Sequence, residues 1–191
     1  MPKRVFQRIR KELRAKDRIR ERALELSRTA IRLSAQAILS IHKGKLIRAE
    51  RMLKRVRKSL DQMDTILKDC PEIAHKGFVY TAYQEYCEAN LLLSFVSGRD
   101  FPTPDDLSVP PIPYTLGLAD VVGELRRRAI DSLRVGDSKT ADRCLDTMEG
   151  IYESFLSIER GYALIPGFKG KRDAIRSAIE RTRADVLRSL R

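Results

Sequence analysis

The sequence predicts an all-α protein, an antiparallel bundle of about six long helices. Two observations carry that expectation. Apolar residues recur in steps of three and four over most of the chain, and no stretch shows the strict alternation of a half-buried strand. Proline and glycine, which interrupt helices, cluster in a few short stretches, chiefly residues 98–113. At 191 residues the chain fits one domain, 1–191, large enough to bury about two-thirds of its unfolded surface without disulfide or metal staples.

The first helix carries the seam Ile19, Ala23, Leu26, Ala30, Leu33, Ala37 and Ile41, and the second carries Leu46, Ala49, Leu53, Val56, Leu60, Met63 and Leu67. Between them His42-Lys43-Gly44-Lys45 supplies a tight turn, with Gly44 free to take a positive φ, so the two form an antiparallel hairpin. A third helix starts near Pro71, a residue suited to a first turn, and runs unbroken to about Ser97 with its seam at Phe78, Ala82, Glu85, Ala89, Leu92 and Val96. Residues 98–113, GRDFPTPDDLSVPPIP, read as a connecting loop with room for one short turn. Beyond it Leu118, Val122, Leu125, Ala129 and Leu133 define a fourth helix that ends near Gly136-Asp137. A fifth carries Cys144, Met148, Ile151, Phe155, Ile158 and Tyr162, and a sixth, after Ile165-Pro166-Gly167, carries Ile175, Ile179, Val186 and Leu190.

Charge narrows the function classes. Lys and Arg outnumber Asp and Glu by 38 to 26, a formal net charge of +12, which marks a polyanion binder. A heat-adapted surface of ion-pair networks also raises the charged fraction, but it needs balanced signs and this excess is one-sided. Three widely spaced cysteines without a C-x-x-C read as reduced thiols, neither a disulfide framework nor a zinc ribbon. No run approaches the roughly 18 apolar residues of a membrane span, and the N-terminus lacks the apolar core of a signal peptide, so a cytoplasmic protein is expected.

Against this basic background two short acidic clusters stand out. Glu85 and Glu88 lie at i and i+3 in QEYCEA, and Glu85 falls inside the apolar stripe of its helix. A carboxylate there must pair with a base, take a proton or bind a cation. Asp120 and Glu124, at i and i+4 in ADVVGE, share a face opposite their own helix's seam, together with Arg127 and Asp131, and periodicity alone reads that face as a solvated stripe. Both pairs offer the hard oxygen ligands that Mg²⁺ or Mn²⁺ takes. Arg4, Arg8, Lys11, Arg18 and Arg22 recur near one face of the first helix with Arg14 beside it, and Lys43, Lys45, Arg48 and Arg51 extend the basic surface. Such a stripe suits a phosphate backbone and equally describes a solvated face. Aromatic residues are only 6% with no tryptophan, so base stacking is a minor source of affinity and sequence preference is weak.

Other patterns are set aside. Gly167-Phe-Lys-Gly-Lys-Arg lacks phosphate-loop spacing and a preceding strand, and reads as a basic turn. Glu72-Ile-Ala-His75 has the Glu-x-x-His spacing of di-iron bundles, which need two such motifs. With two histidines in all, a His-based general base has almost nothing to draw on.

The acidic segments resemble the translin superfamily, and within it the Trax branch. The resemblance rests on YQEYCEA at 83–89 and on YTLGLADVVGELRRRAIDSLRVGD at 114–137, and extends more weakly over nearly the whole chain. It implies an all-helical subunit that assembles with itself or with translin into a hollow oligomer, often an octamer, enclosing RNA. It further implies a Mg²⁺-dependent endoribonuclease acting mainly on single-stranded RNA, with catalytic and metal-binding carboxylates at Glu85, Glu88, Asp120 and Glu124. The chain is shorter than eukaryotic forms and resembles a prokaryotic, archaeal homologue, for which a role in RNA interference is not expected. On this reading Arg127 is a phosphate clamp, and Arg4, Arg8, Lys11, Arg14, Arg18 and Arg22 are nucleic-acid contacts. The alternative is a non-catalytic module binding RNA or single-stranded DNA, its acids paired with arginines.

Overall fold

The computed structural model describes residues 2–189, so the expected seam position Leu190 lies outside the described residues. Within them eight α-helices and one 3-10 turn follow one another, with no strand. They are α1 (Pro2–His42), α2 (Leu46–Leu67), α3 (Pro71–Ala74), α4 (Gly77–Val96), α5 (Pro104–Leu107), α6 (Pro111–Leu133), α7 (Ser138–Leu156), the 3-10 turn Tyr162–Leu164, and α8 (Phe168–Ser189). The all-α expectation holds.

The α1–α2 hairpin forms as its seams require. Ala23, Ala30, Leu33, Ala37 and Ile41 of α1 and Ala49, Leu53, Val56, Leu60, Met63 and Leu67 of α2 are all buried. Gly44 takes φ +68° in the turn, a conformation costly for any side chain with a Cβ. The first part of α1 is different, because residues 3–14 are all exposed and Ala23 is the first buried residue. That arm runs past the bundle, which it meets near Lys16, paired with Glu72 at 2.9 Å.

The expected third helix is two helices. Lys76 adopts an extended conformation (φ −75°, ψ 149°) between α3 and α4. An unbroken helix, turning about 100° per residue, would set Ile73 and Ala82 on opposite sides. The break lets both point inward, and both are buried. Gly77, which contributes least to helix stability, stands where α4 begins.

α4 is buried around most of its circumference. Val79, Tyr83, Tyr86, Cys87, Leu91, Leu93 and Phe95 join Ala82, Ala89 and Leu92 in the core, as an all-round apolar helix should. α4 packs against α1, α2 and α6, and α6 in turn packs against α7 and α8.

The segment before α6 holds the short helix α5, closed by a reciprocal capping box between Thr103 and Asp106. Arg57 of α2 pins it by donating to the carbonyls of Leu107 and Ser108 at 3.1 and 3.0 Å. α6 begins earlier than expected, at Pro111, because prolines in a first turn lack only N–H groups that have no helical partner. α7 stops earlier, at Leu156, leaving Ile158 and an exposed Tyr162 beyond it. Phe155 then stacks on Phe168 of α8 at 5.2 Å between ring centroids, closing the α7–α8 corner.

A four-carboxylate candidate site

α4 and α6 carry one acidic pair each, and Gly117 sets how close the two helices come. A Cβ at Gly117 would lie 2.7 Å from Cys87 Cβ, 2.7 Å from the Gln84 carbonyl oxygen and 3.1 Å from the Glu88 nitrogen. Only a glycine permits that approach, and the strip it touches, residues 84–88, includes Glu85 and Glu88. Asp120 lies three residues further along α6, where it accepts a hydrogen bond from Gln84 Nε2 at 2.5 Å. The pairs are therefore apposed by main-chain contact.

The electrostatics record that apposition. Burial pushes the Glu88 carboxyl up to about 8, and the negative charges of Glu85, Asp120 and Glu124 add to the effect. Glu85 is raised as well, first by burial and then by Asp120 and Glu124, with Lys171 opposing. Glu124 behaves in the opposite way, held below the usual carboxylate range by its hydrogen bond with His42. Without a bound cation Glu88 thus retains its proton at neutral pH.

Three bases reach this cluster. Lys171, near the start of α8, pairs its ammonium with Asp120. His42, the last residue of α1 and largely buried, meets Glu124 through Nε2. Arg127 approaches Glu124 more loosely, at 3.8 Å, with its side chain half exposed.

These contacts correct the sequence reading in three places. The face of Asp120 and Glu124 is not a solvated stripe, since their side chains are 24% and 23% exposed. α6 is covered on several sides, so a residue opposite its own seam meets α8 or the end of α1. One of the two histidines engages a site carboxylate, a contact that the sequence reading, which considered histidine only as a general base, did not anticipate. And the basic turn around Gly167 delivers Lys171 to Asp120. Neither base carries a sequence signal pointing at the cluster. Gly117 does, because an interior glycine costs a helix about 1 kcal/mol relative to alanine and asks for a packing reason.

The predicted basic stripe is not part of this cluster. Arg4, Arg8, Lys11, Arg14, Arg18 and Arg22 are all exposed on the first half of α1. At 1.5 Å per residue, Arg22 stands about 30 Å and Arg4 about 57 Å along the helix from His42. Glu72 pairs with Lys16, and His75 approaches Tyr80 at 3.3 Å, so the Glu-x-x-His spacing serves local contacts. Cys70, Cys87 and Cys144 are free and buried.

Among the described residues no three His, Cys, Asp or Glu side chains converge closely enough to hold one ion, and Asp120 and Glu124 are paired with Lys171 and His42. The chemistry of the donor set nevertheless fits a hard divalent cation. All four are carboxylates on two apposed helices, near enough for Glu85, Asp120 and Glu124 to act on Glu88, whose carboxyl is raised first by burial and then by those charges.

An all-helical subunit with two carboxylate pairs on closely apposed helices defines the class. The chain belongs to the translin family, which residues 16–184 match. It is 29% identical over 174 residues to an uncharacterized protein of Methanocaldococcus jannaschii, covering 90% of this chain and 77% of that protein. Among solved structures it is similar to AfC3PO, with 35% identity, a TM-score of 0.88 and 96% of each chain covered. It is also similar to AfC3PO in a complex with duplex RNA, with 34% identity, a TM-score of 0.88 and 96% and 95% covered. Apo-NeC3PO shares the fold at 20% identity, with a TM-score of 0.87 and 96% of each chain covered. No described helix is long and apolar enough to cross a membrane.

Proposed function

We propose that this protein binds RNA and cleaves it as a divalent-metal-dependent endoribonuclease, working as a homo-oligomer. The observation that carries the reading is Glu88, a carboxyl raised by burial and by the charges of Glu85, Asp120 and Glu124. A cation entering such a cluster would compensate its charge and let Glu88 ionise, and translin-family membership with likeness to an RNA-bound AfC3PO supports RNA as the substrate class.

Glu85 and Glu88, which have no salt-bridged base among the described residues, would hold Mg²⁺ or Mn²⁺ through their oxygens, with Asp120 and Glu124 completing the shell directly or through water. The ion, when bound, makes its water a better nucleophile and neutralises charge on the phosphoryl oxygens. Arg127, half exposed and only loosely paired with Glu124, would contact a phosphate. The exposed arm of α1, with its six basic residues, attracts the RNA backbone through contacts that weaken with salt. Self-association draws support from the same arm, where Phe6 is 68% and Leu13 62% exposed.

A second reading, RNA or single-stranded DNA binding without catalysis, draws on Lys171 and His42, which already compensate two of the four acids. Incubating the purified protein with labelled single-stranded RNA in Mg²⁺, and in EDTA as control, separates the two. Cleavage that stops in EDTA and in Glu85→Gln and Asp120→Asn proteins supports the nuclease. Salt-sensitive binding without cleavage supports the binding module, and native mass spectrometry tests the homo-oligomer, an octamer on the family resemblance.

A further inference from the structure

The acid cluster contains a cation of its own. Lys171 sits at the start of α8, where its N–H donates to the Gly167 carbonyl at 3.0 Å and Gly167 turns the chain at φ +69°. Its ammonium pairs with Asp120, and its positive charge also acts on Glu85 and Glu88, so it serves three of the four acids. Asp120 is the partner of its side chain among the described residues. The side chain is 33% exposed, flanked by Gly170 and by an exposed Lys169, and a four-carbon stem lets the charge swing without moving α8.

We propose that the Lys171 ammonium is a built-in counter-ion, which a divalent cation must displace from Asp120 and which then contacts the RNA phosphate. The inference rests on the metal-binding reading above. Asp120 is engaged by Lys171 and by Gln84, so a cation that takes this carboxylate has to compete with the ammonium for its oxygen. An incoming dication competes for the same oxygen and repels the ammonium. The displaced amine, still tethered within reach, finds its next partner in the phosphate that the substrate brings. A lysine suits this exchange better than an arginine, whose planar fork would hold a carboxylate through two bonds and release it less readily.

The test is a Mn²⁺ titration of the full-length protein, followed by electron paramagnetic resonance at fixed pH and ionic strength. It compares the unaltered chain with Lys171→Met and Lys171→Arg, and circular dichroism confirms folding, with Lys171→Gln as the substitute if the Met variant fails to fold. Removing one positive charge beside the ion is expected to tighten Mn²⁺ binding by about tenfold or more, while Lys171→Arg binds no more tightly than the unaltered chain. In the same proteins, with Mn²⁺ present, affinity for a short 2′-O-methyl RNA is expected to fall several-fold in Lys171→Met. Opposite signs for metal and RNA are what a merely structural lysine does not produce. Equal or weaker Mn²⁺ binding in Lys171→Met, with the unaltered chain binding Mn²⁺, overturns the counter-ion role and leaves the metal reading intact. Absence of Mn²⁺ binding in both proteins overturns the metal reading and this inference together. Tighter Mn²⁺ with undiminished RNA affinity overturns the transfer to phosphate.

Discussion

The two ends of α1 handle charge in contrasting ways. From Lys3 to Arg22 there are ten Lys or Arg and three acids, and residues 3–14 lie wholly in solvent. At the other end His42 is largely buried and meets Glu124 inside a cluster where four acids face His42, Lys171 and Arg127. Charge in water costs little to leave unpaired, so the arm can be one-sided and offer its excess to a polyanion. Charge removed from water must be balanced locally, so the cluster recruits bases from two other helices and still leaves Glu88 protonated. The lesson is that exposed and buried charge are separated along one helix, the first governed by salt and the second by packing.

The largest expected effect bears on the buried end. If the nuclease reading holds, Glu88→Gln lowers the single-turnover cleavage rate by about a hundredfold or more, while RNA affinity measured in EDTA stays within about twofold. Loss of binding together with cleavage would erase the separation just described.

Gly117→Ala tests whether packing sets the cluster. The added methyl meets main chain rather than a flexible side chain, so destabilisation of about 1–3 kcal/mol is expected. That corresponds to roughly 2–4 °C of melting temperature per kcal/mol for a chain of this size. An undisturbed melting temperature would show that α4 and α6 can separate freely.

Protonation gives a third test. Glu88 moves from an ordinary 4.5 to about 8, so the folded state binds the extra proton between those values. The resulting contribution is full below about pH 4.5 and is lost as pH rises through about 8. Glu85 has the same sign, and Glu124, held low by His42, the opposite one. In EDTA the melting temperature should therefore fall between pH 5 and pH 8.5, and Glu88→Gln should flatten the slope. A stability that rises over that window would refute the assignment.

The smallest effect on stability comes from the arm. Replacing Arg4, Arg8 and Lys11 by Gln should leave the melting temperature unchanged. It should reduce the slope of log affinity for single-stranded RNA against log salt by about 2, three charges at roughly 0.7 each. An unaltered slope would remove the arm from RNA binding.

How far all this was legible in the sequence depends on the kind of contact involved. The α1–α2 hairpin follows from its own seams because each helix buries one stripe against the other. The break at Lys76 does not, since it reconciles Ile73 with Ala82 only in three dimensions. Glu85 is visible as an acid in an apolar stripe. Asp120 and Glu124 are not, because one helical wheel cannot show that α6 is covered from several sides. Lys171 and His42 come from distant segments and act through pairwise geometry, which periodicity does not encode. Gly117 lay open to inspection as an interior helical glycine, and its meaning appeared only with Gln84, Cys87 and Glu88 beside it.

That glycine also dictates what can move. A contact with main chain yields less readily than one between side chains, so the close approach at Gly117 limits how far α4 and α6 can shift beside the acids. If the nuclease reading holds, the elements laid over those two helices at the acids are α8 and the end of α1. Those are the elements bearing Lys171 and His42, so on the nuclease reading a substrate reaches the acids past the side chains that hold Asp120 and Glu124.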